Sequence, residues 1–190
     1  MIDYIVEKIK PYLEKSYLKR YFDWFIIKLD LQDKVERLDK KKNKGKHPIQ
    51  PRRGDIYLIE FGQNVGKELS NTHMGIIVQN SSNNVVSHTV IVVPISSSQH
   101  LYPTHERILE EDIKEGKLDK LPSKAKADQM TYIDKARMLY KIGAVTDDFM
   151  SRLEKRIAKN LDIKIEQNIE KNIEENNKED NENLEENEQD

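Results

Sequence analysis

Apolar residues three or four positions apart open the chain. Ile2, Ile5, Ile9 and Leu13 form one run; Leu18, Phe22, Phe25, Leu29, Val35 and Leu38 form another. That spacing, close to the helical period of about 3.6, predicts amphipathic helices from residue 2 to about residue 40. Pro11 is placed to break or kink the first of them. An apolar helix stripe must be buried against something. The expected cover is the domain that follows, or a helical hairpin; a dimer or partner surface is the alternative.

From Asp55 the period changes to two. Ile56, Leu58 and Glu60 share one strand face, and Tyr57, Ile59 and Phe61 the other. A polar, Gly-bearing loop follows from Gly62 to Asn71. Gly75–Gln79 reads as a strand and Asn80–Asn84 as a turn. Thr89–Ile95 is rich in β-branched residues and reads as a central strand buried on both faces. Pro94 within it predicts a bulge or an edge at that point. Thr104–Ile108 is a short strand, and Glu110–Glu115 a helical turn ended by Gly116. Lys124–Asp134 and Ala136–Gly143 are two further strand segments. Short strands with turn signals between them predict a small β-barrel. Thr146 then caps a helix carrying Phe149, Leu153, Ile157 and Leu161, with Asp147 and Asp148 suited to its positive end.

The predicted organisation is a helical extension over 1–41, a basic linker over 42–52, a barrel over 53–164 and an acidic tail over 165–190. Charge follows these divisions. Up to Arg53 there are 15 Lys and Arg against 8 Asp and Glu; from Gly54 to Lys164 there are 15 of each; beyond that, 2 against 11. A basic start and an acidic end suggest nucleic-acid contact at one and a solvated tail at the other. The tail is expected to be disordered, although Ile165, Ile169 and Ile173 could extend the helix. Its two readings are a solubilising segment and an RNA mimic that competes for a basic groove. The linker's lysines could touch phosphates or simply stay solvated.

Cysteine is absent, which removes disulfides and thiolate metal sites. The longest apolar run, near Trp24–Ile27, is too short to span a bilayer. The opening MIDYIVEKIK interleaves charge with apolar positions, so no secretory signal is read there and a cytoplasmic location is expected.

Five stretches carry a resemblance. They are RGDIYLIEFG (Arg53–Gly62), GKEL (Gly66–Leu69) leading into a strand that ends at Asn80, SHTVIVVPIS (Ser87–Ser96), PTHERI (Pro103–Ile108), and DQMTYIDKARM (Asp128–Met138) before a Gly-Ala-Val step and a final helix. In this order, over about 110 residues, they resemble the MazF/PemK toxins of bacterial toxin–antitoxin pairs. The resemblance does not reach the N-terminal helices or the acidic tail. It implies an SH3-like small β-barrel with a C-terminal helix, a homodimer, and metal-independent endoribonuclease activity on single-stranded RNA. No cofactor or metal is implied. A cognate antitoxin protein is the implied partner, with DNA contacted only through the toxin–antitoxin complex and no membrane. In such chemistry the ribose 2′-OH attacks the adjacent phosphorus, leaving a 2′,3′-cyclic phosphate and a 5′-OH. That needs a base, an acid for the leaving oxygen and cationic stabilisation of the phosphate.

By position in these motifs, Glu68 is the candidate base or the partner of His73, and Thr89 the residue that holds the phosphate. Gln129, Arg53, Lys67 and Arg137 are the candidate RNA contacts. Each has a plainer alternative: solvated surface charge for Glu68, Arg53 and Lys67, an ordinary strand position for Thr89 and Gln129, and a structural pairing of Arg137 with Asp134 or Glu106. One departure matters. The family commonly has Arg-Pro just after the Gly-x-Glu loop, with that Arg catalytic; here His73 and Met74 stand there. Imidazole can donate or accept a proton near neutral pH, but cannot grip a phosphate with two parallel bonds as guanidinium does. Three readings follow: His73 as acid or base in a variant branch, binding without cutting, or a residue at the groove rim. His88 should face away from Thr89 along the strand, and His105 reads as a surface histidine. Base preference is expected from Gly62–His73 and Ser96–Thr104. Two other functions fit the same barrel: a non-catalytic binder of a protein target, like the CcdB-type gyrase poisons, and a regulatory or RNA-binding module.

Overall fold

The computed structural model describes residues 2–164, so the acidic tail and any helix through Ile165, Ile169 and Ile173 lie outside the described residues. Two helices lead the chain, α1 (Ile2–Ile9) and α2 (Ser16–Lys40), with a 3-10 turn at Lys10–Tyr12 between them. Pro11 falls at the start of that turn, where its missing N–H leaves no helical bond unmade. Among the described residues no helix is long and apolar enough to cross a membrane.

The expected cover for the helical stripe is only partly realised. On α2 Trp24 is buried, and Leu31, Val35 and Leu38 are half-buried. Phe22, Phe25, Ile26 and Leu29 are exposed. The reason is the small seat: α2 meets the barrel chiefly at a 3-10 turn, Lys135–Arg137, just before the last strand. Lys34 Nζ donates to the carbonyls of Ala136 and Met138 there, at 2.7 and 2.9 Å. Burial holds the Lys34 ammonium below its ordinary pKa, with nearby Arg37 pushing the same way.

Trp24 is the second anchor. Its indole lies against Gly62, where a Cβ would stand 2.2 Å from Trp24 Cζ2, and Gly62 itself has φ +86°. Space and backbone conformation therefore both require glycine. The Arg137 guanidinium sits 5.2 Å from the indole centroid. Gly62→Ala should undock α2 and leave the barrel folded. Trp24 is the single tryptophan, so its emission should shift to the red while barrel secondary structure persists. An unshifted spectrum would mean that Trp24 is not seated on Gly62.

Among the described residues there are eight strands, β1 (Asp55–Glu60), β2 (Thr72–Ile77), β3 (Thr89–Ser96), β4 (His105–Ile108), β5 (Ile113–Gly116), β6 (Ser123–Lys126), β7 (Thr131–Asp134) and β8 (Met138–Val145). They pair antiparallel in the order β4-β6-β3-β2-β1-β8-β5, with β7 also on β3. The result is an antiparallel half-barrel. A four-residue helix, α3 (Asn83–Val86), lies between β2 and β3, overlapping the end of the turn expected over Asn80–Asn84 and running past it, and α4 (Asp147–Asn160) is the last element of the described residues.

Strand alternation sorts the core into two clusters. Ile56, Ile76, Val93 and Ile95 meet Phe149, Met150 and Leu153 of α4 on one face. Ile59, Phe61, Ile77, Val90, Val92, Ile133 and Met138 pack on the other. β3 is buried on both faces from Val92 to Ile95, as its β-branched run predicts, but Ile91 nearer its start is exposed. Pro94 sits where β3 exchanges one neighbour for another: β7 pairs as far as Val92, and β6 begins at Ile95. On that edge no ladder bond is asked of the proline nitrogen.

Two local expectations are corrected. The helical turn expected over Glu110–Glu115 is a 3-10 turn of Glu110–Asp112 only, because Ile113–Gly116 pairs with β8. The strand expected over Lys124–Asp134 is two strands, β6 and β7, broken by a 3-10 turn at Ala127–Gln129. Residues 41–54 carry little regular structure, yet they are docked. His47 is buried, its backbone N–H donates to Val85 O at 2.7 Å, and its ring packs edge-on to His88. Burial holds the His47 pKa below its ordinary value.

α4 begins as predicted, with Thr146 Oγ1 accepting the Phe149 N–H at 3.2 Å. Buried Glu106 accepts from Arg152 Nε at 2.9 Å and Arg156 Nε at 2.7 Å, and buried Asp112 accepts from Arg152 Nη2 at 2.8 Å. These pairs tie α4 to β4 and the turn after it. Lys135 is fully buried and donates to Asn84 O; burial lowers its pKa to about 8.

Candidate functional site

The loop between β1 and β2 is a closed unit. Phe61 N donates to Asn71 O at 3.0 Å and Asn71 N returns a bond to Gly62 O at 2.6 Å. Asn64 Nδ2 fills the interior, donating to the carbonyls of Phe61 at 3.3 Å and Leu69 at 2.7 Å. The loop therefore presents Glu68 on a braced backbone. Glu68 Oε2 accepts the Val65 N–H at 3.1 Å, and Oε1 has no partner among the described residues.

Opposite this loop stand the 3-10 turn Ala127–Gln129 and strand β7. Between them lies a cleft of about 700 Å³ lined by Glu68, Thr89, Asp128, Gln129, Asp134 and Arg137, with Phe61, Leu69 and Ile133 as its apolar part. Four of the sequence candidates, Glu68, Thr89, Gln129 and Arg137, are brought together here from separate stretches of chain. Gln129 Oε1 is buried without a hydrogen-bond partner among the described residues. A buried acceptor left unpaired is costly, so it is open to a donor from a bound molecule. Arg137 is not paired with Asp134 or Glu106, which corrects that expectation. Its Nη1 donates to Phe61 O at 2.8 Å while Trp24 flanks the guanidinium. Glu106 is instead taken by Arg152 and Arg156.

The other candidates stand elsewhere. Lys67 lines a second, adjoining cleft. Arg53 bonds Glu154 of α4 and Val78 O, and does not line either cleft. His73 pairs with Ile59 on β1, which puts it on the same sheet face as the cleft. Its ring centroid is 6.5 Å from that of Phe61, a cleft residue, but His73 itself is not in the lining and has no hydrogen bond to Glu68. His88 faces Lys42 and Asp39, away from Thr89's cleft. Of the two segments expected to read bases, Gly62–His73 lines the clefts only through Gln63–Asn71, and Ser96–Thr104 lines neither.

His105 corrects another expectation: it is buried, not on the surface. Its Nδ1 accepts the Tyr102 N–H at 3.2 Å, which leaves Nε2 to donate to Asp128 Oδ1 at 3.1 Å. Burial lowers the His105 pKa, with Asp128 opposing. A neutral, fixed imidazole thus orients a carboxylate at the cleft wall. Sequence reasoning missed Asp128 and Asp134 as cleft residues. The only signal for Asp128 was its place beside Gln129; its histidine partner lies 23 positions earlier.

A family model described as PemK-like, MazF-like toxin of type II toxin-antitoxin system matches residues 52–161. Solved structures to which the chain is similar include an endoribonuclease with its cognate antitoxin from a mycobacterial species, at 22% identity and TM-score 0.48, covering 60% of this chain and 97% of that one. MazF from Deinococcus radiodurans is 15% identical with TM-score 0.49, covering 60% of this chain and 97% of that one. Mycobacterium tuberculosis toxin MazF-mt6 is 16% identical with TM-score 0.48, over 58% and 98% respectively. The family match spans more than half of the 190 residues and coincides with the half-barrel and α4. On that match, the chain belongs to the PemK-like, MazF-like toxins of type II toxin–antitoxin systems.

Proposed function

We propose that this toxin cuts single-stranded RNA in the cleft by attack of a ribose 2′-OH on the adjacent phosphorus, without a metal, leaving a 2′,3′-cyclic phosphate and a 5′-OH. The observation that carries this reading is the convergence of Glu68, Thr89, Gln129 and Arg137 on one cleft. Glu68 takes the 2′-OH proton through its unpartnered oxygen. Thr89 hydroxyl donates to a phosphate oxygen, and Arg137 offsets the charge that gathers on phosphorus with the N–H groups it does not give to Phe61. The bond from phosphorus to the 5′-oxygen breaks, and His73 returns a proton to that oxygen from beside Phe61. Gln129 hydrogen-bonds a base edge or the backbone, and polar atoms of the Gly62–Asn71 loop select among unstacked bases. A cognate antitoxin neutralises the toxin, DNA is reached only through that complex, and the toxin acts as a homodimer in the cytoplasm.

The test is incubation of purified protein with a long single-stranded RNA in excess EDTA. Cutting at defined sites with 5′-OH ends is the expected result. No cutting by folded protein would transfer the reading to a non-catalytic barrel that binds RNA or a protein target such as gyrase.

A further inference from the structure

We infer that the N-terminal helices build a nucleobase-binding subsite for single-stranded RNA, continuous with the cleft; this rests on the reading above. The family match begins at residue 52, so the helices lie outside it. They nevertheless form one wall of a second cleft of about 1000 Å³, which shares Asn64, Glu68, Leu69 and Gln129 with the first. That wall is Tyr12, Tyr17, Arg20 and Tyr21; the facing side is the Gly66–Asn71 part of the loop, with Lys126 beyond.

The composition fits unstacked nucleotides. Tyr17, Tyr21 and Trp24 follow helical spacing, so the side of α2 that is anchored by Trp24 also turns two tyrosines toward the loop. Tyr17 and Tyr21 pack edge to face, with centroids 6.0 Å apart, and Tyr21 Oη donates to Asn64 O at 3.3 Å. Tyr17 and Tyr21 remain 38% and 39% exposed as residues, and Tyr12 48%. Rings fixed in place yet accessible are stacking platforms for bases. Arg20, Lys67 and Lys126 line the same cleft, and none makes a salt bridge or side-chain hydrogen bond among the described residues. The first cleft, by contrast, carries Glu68, Asp128 and Asp134 against Arg137. Its own charge does not hold a polyanion, and the adjoining cations supply what it lacks. The exposed apolar residues of α2, Phe22, Phe25, Ile26 and Leu29, are not in this lining; the wall itself is tyrosine and cation, and its unpaired positive charge suits the phosphates of RNA.

Binding is separated from cutting by using single-stranded 12-mers of mixed sequence with every ribose 2′-O-methylated, which cannot be cut by 2′-OH attack. Affinity is read by fluorescence anisotropy with the full chain, and Trp24 emission confirms that α2 stays docked. Tyr17→Ala with Tyr21→Ala should weaken binding about 10- to 100-fold, while Tyr17→Phe, which keeps the ring, should bind as wild type. Arg20→Ala and Lys126→Ala should each reduce the salt dependence of log affinity by about 0.7. Unchanged affinity in the double variant, with wild type cutting RNA, would overturn the subsite alone. The same result with antitoxin binding lost would overturn it in favour of a protein interface. Wild type that neither binds nor cuts RNA would overturn the subsite and the proposed function together. Lost affinity in a protein that does not cut would support the subsite and overturn the catalysis.

Discussion

Glu68→Gln is expected to slow RNA cleavage about 100-fold or more, the usual range for losing a positioned proton acceptor. The substitution keeps size, and the Gln carbonyl can still accept the Val65 N–H that Glu68 Oε2 accepts at 3.1 Å. The loop therefore stays closed, and RNA affinity should change little. The measurement is single-turnover cleavage beside binding of the 2′-O-methylated RNA. An unchanged rate would move the proton acceptor to Asp128, the cleft carboxylate fixed by buried His105. His73→Ala should give a loss of similar size if imidazole returns the proton to the leaving oxygen. His73→Arg separates the two roles at this position. It should retain activity if positive charge is the need, and lose it if proton transfer is.

Phe149→Ala should remove about 3–5 kcal/mol of stability, the range for deleting a fully buried aromatic ring. Phe149 is 0% exposed and lies where the core joins α4 to Ile56, Ile76 and Val93. Since single domains are stable by only about 5–15 kcal/mol, this one change approaches unfolding. A lower urea midpoint at unchanged slope is the readout. A loss below about 1 kcal/mol would mean that α4 is not the lid of the core. Arg152→Ala should cost less, about 2 kcal/mol: it strands part of the Glu106 and Asp112 charge, but Arg152 is 43% exposed and Arg156 still pairs Glu106.

Particular residues show how much was legible in the sequence. The Ile56/Ile59 alternation, the β-branched Thr89–Ile95 run and the Thr146 cap each depend on contacts within a few residues or on period alone, and each is found where expected. The 3-10 turn at Ala127–Gln129 was not legible. Ala127 and Asp128 are poor strand formers, but no Gly or Pro marks a break there, and the turn forms where β3 takes β6 along one part of its edge and β7 along the other. Buried His105 was missed because its polar groups are satisfied by Tyr102 N and by Asp128, a partner far along the chain. Periodicity also showed that α2 is amphipathic without showing which part of the stripe would be covered. That depended on one glycine, Gly62, and on two carbonyls that receive Lys34.

Local propensity, side-chain period and motif order were enough to specify the family, most strands and their inward faces, the capped final helix, and Glu68, Thr89, Gln129 and Arg137 among the residues at the cleft. All of these can be read along the chain. That Glu68, Thr89, Gln129 and Arg137 share a cleft with Asp128, that His73 stands beside it, and that α2 brings tyrosines to its edge emerged only from the folded arrangement. Such juxtapositions are set by strand register and by the docking of one surface on another. Neither leaves a repeating mark along the chain.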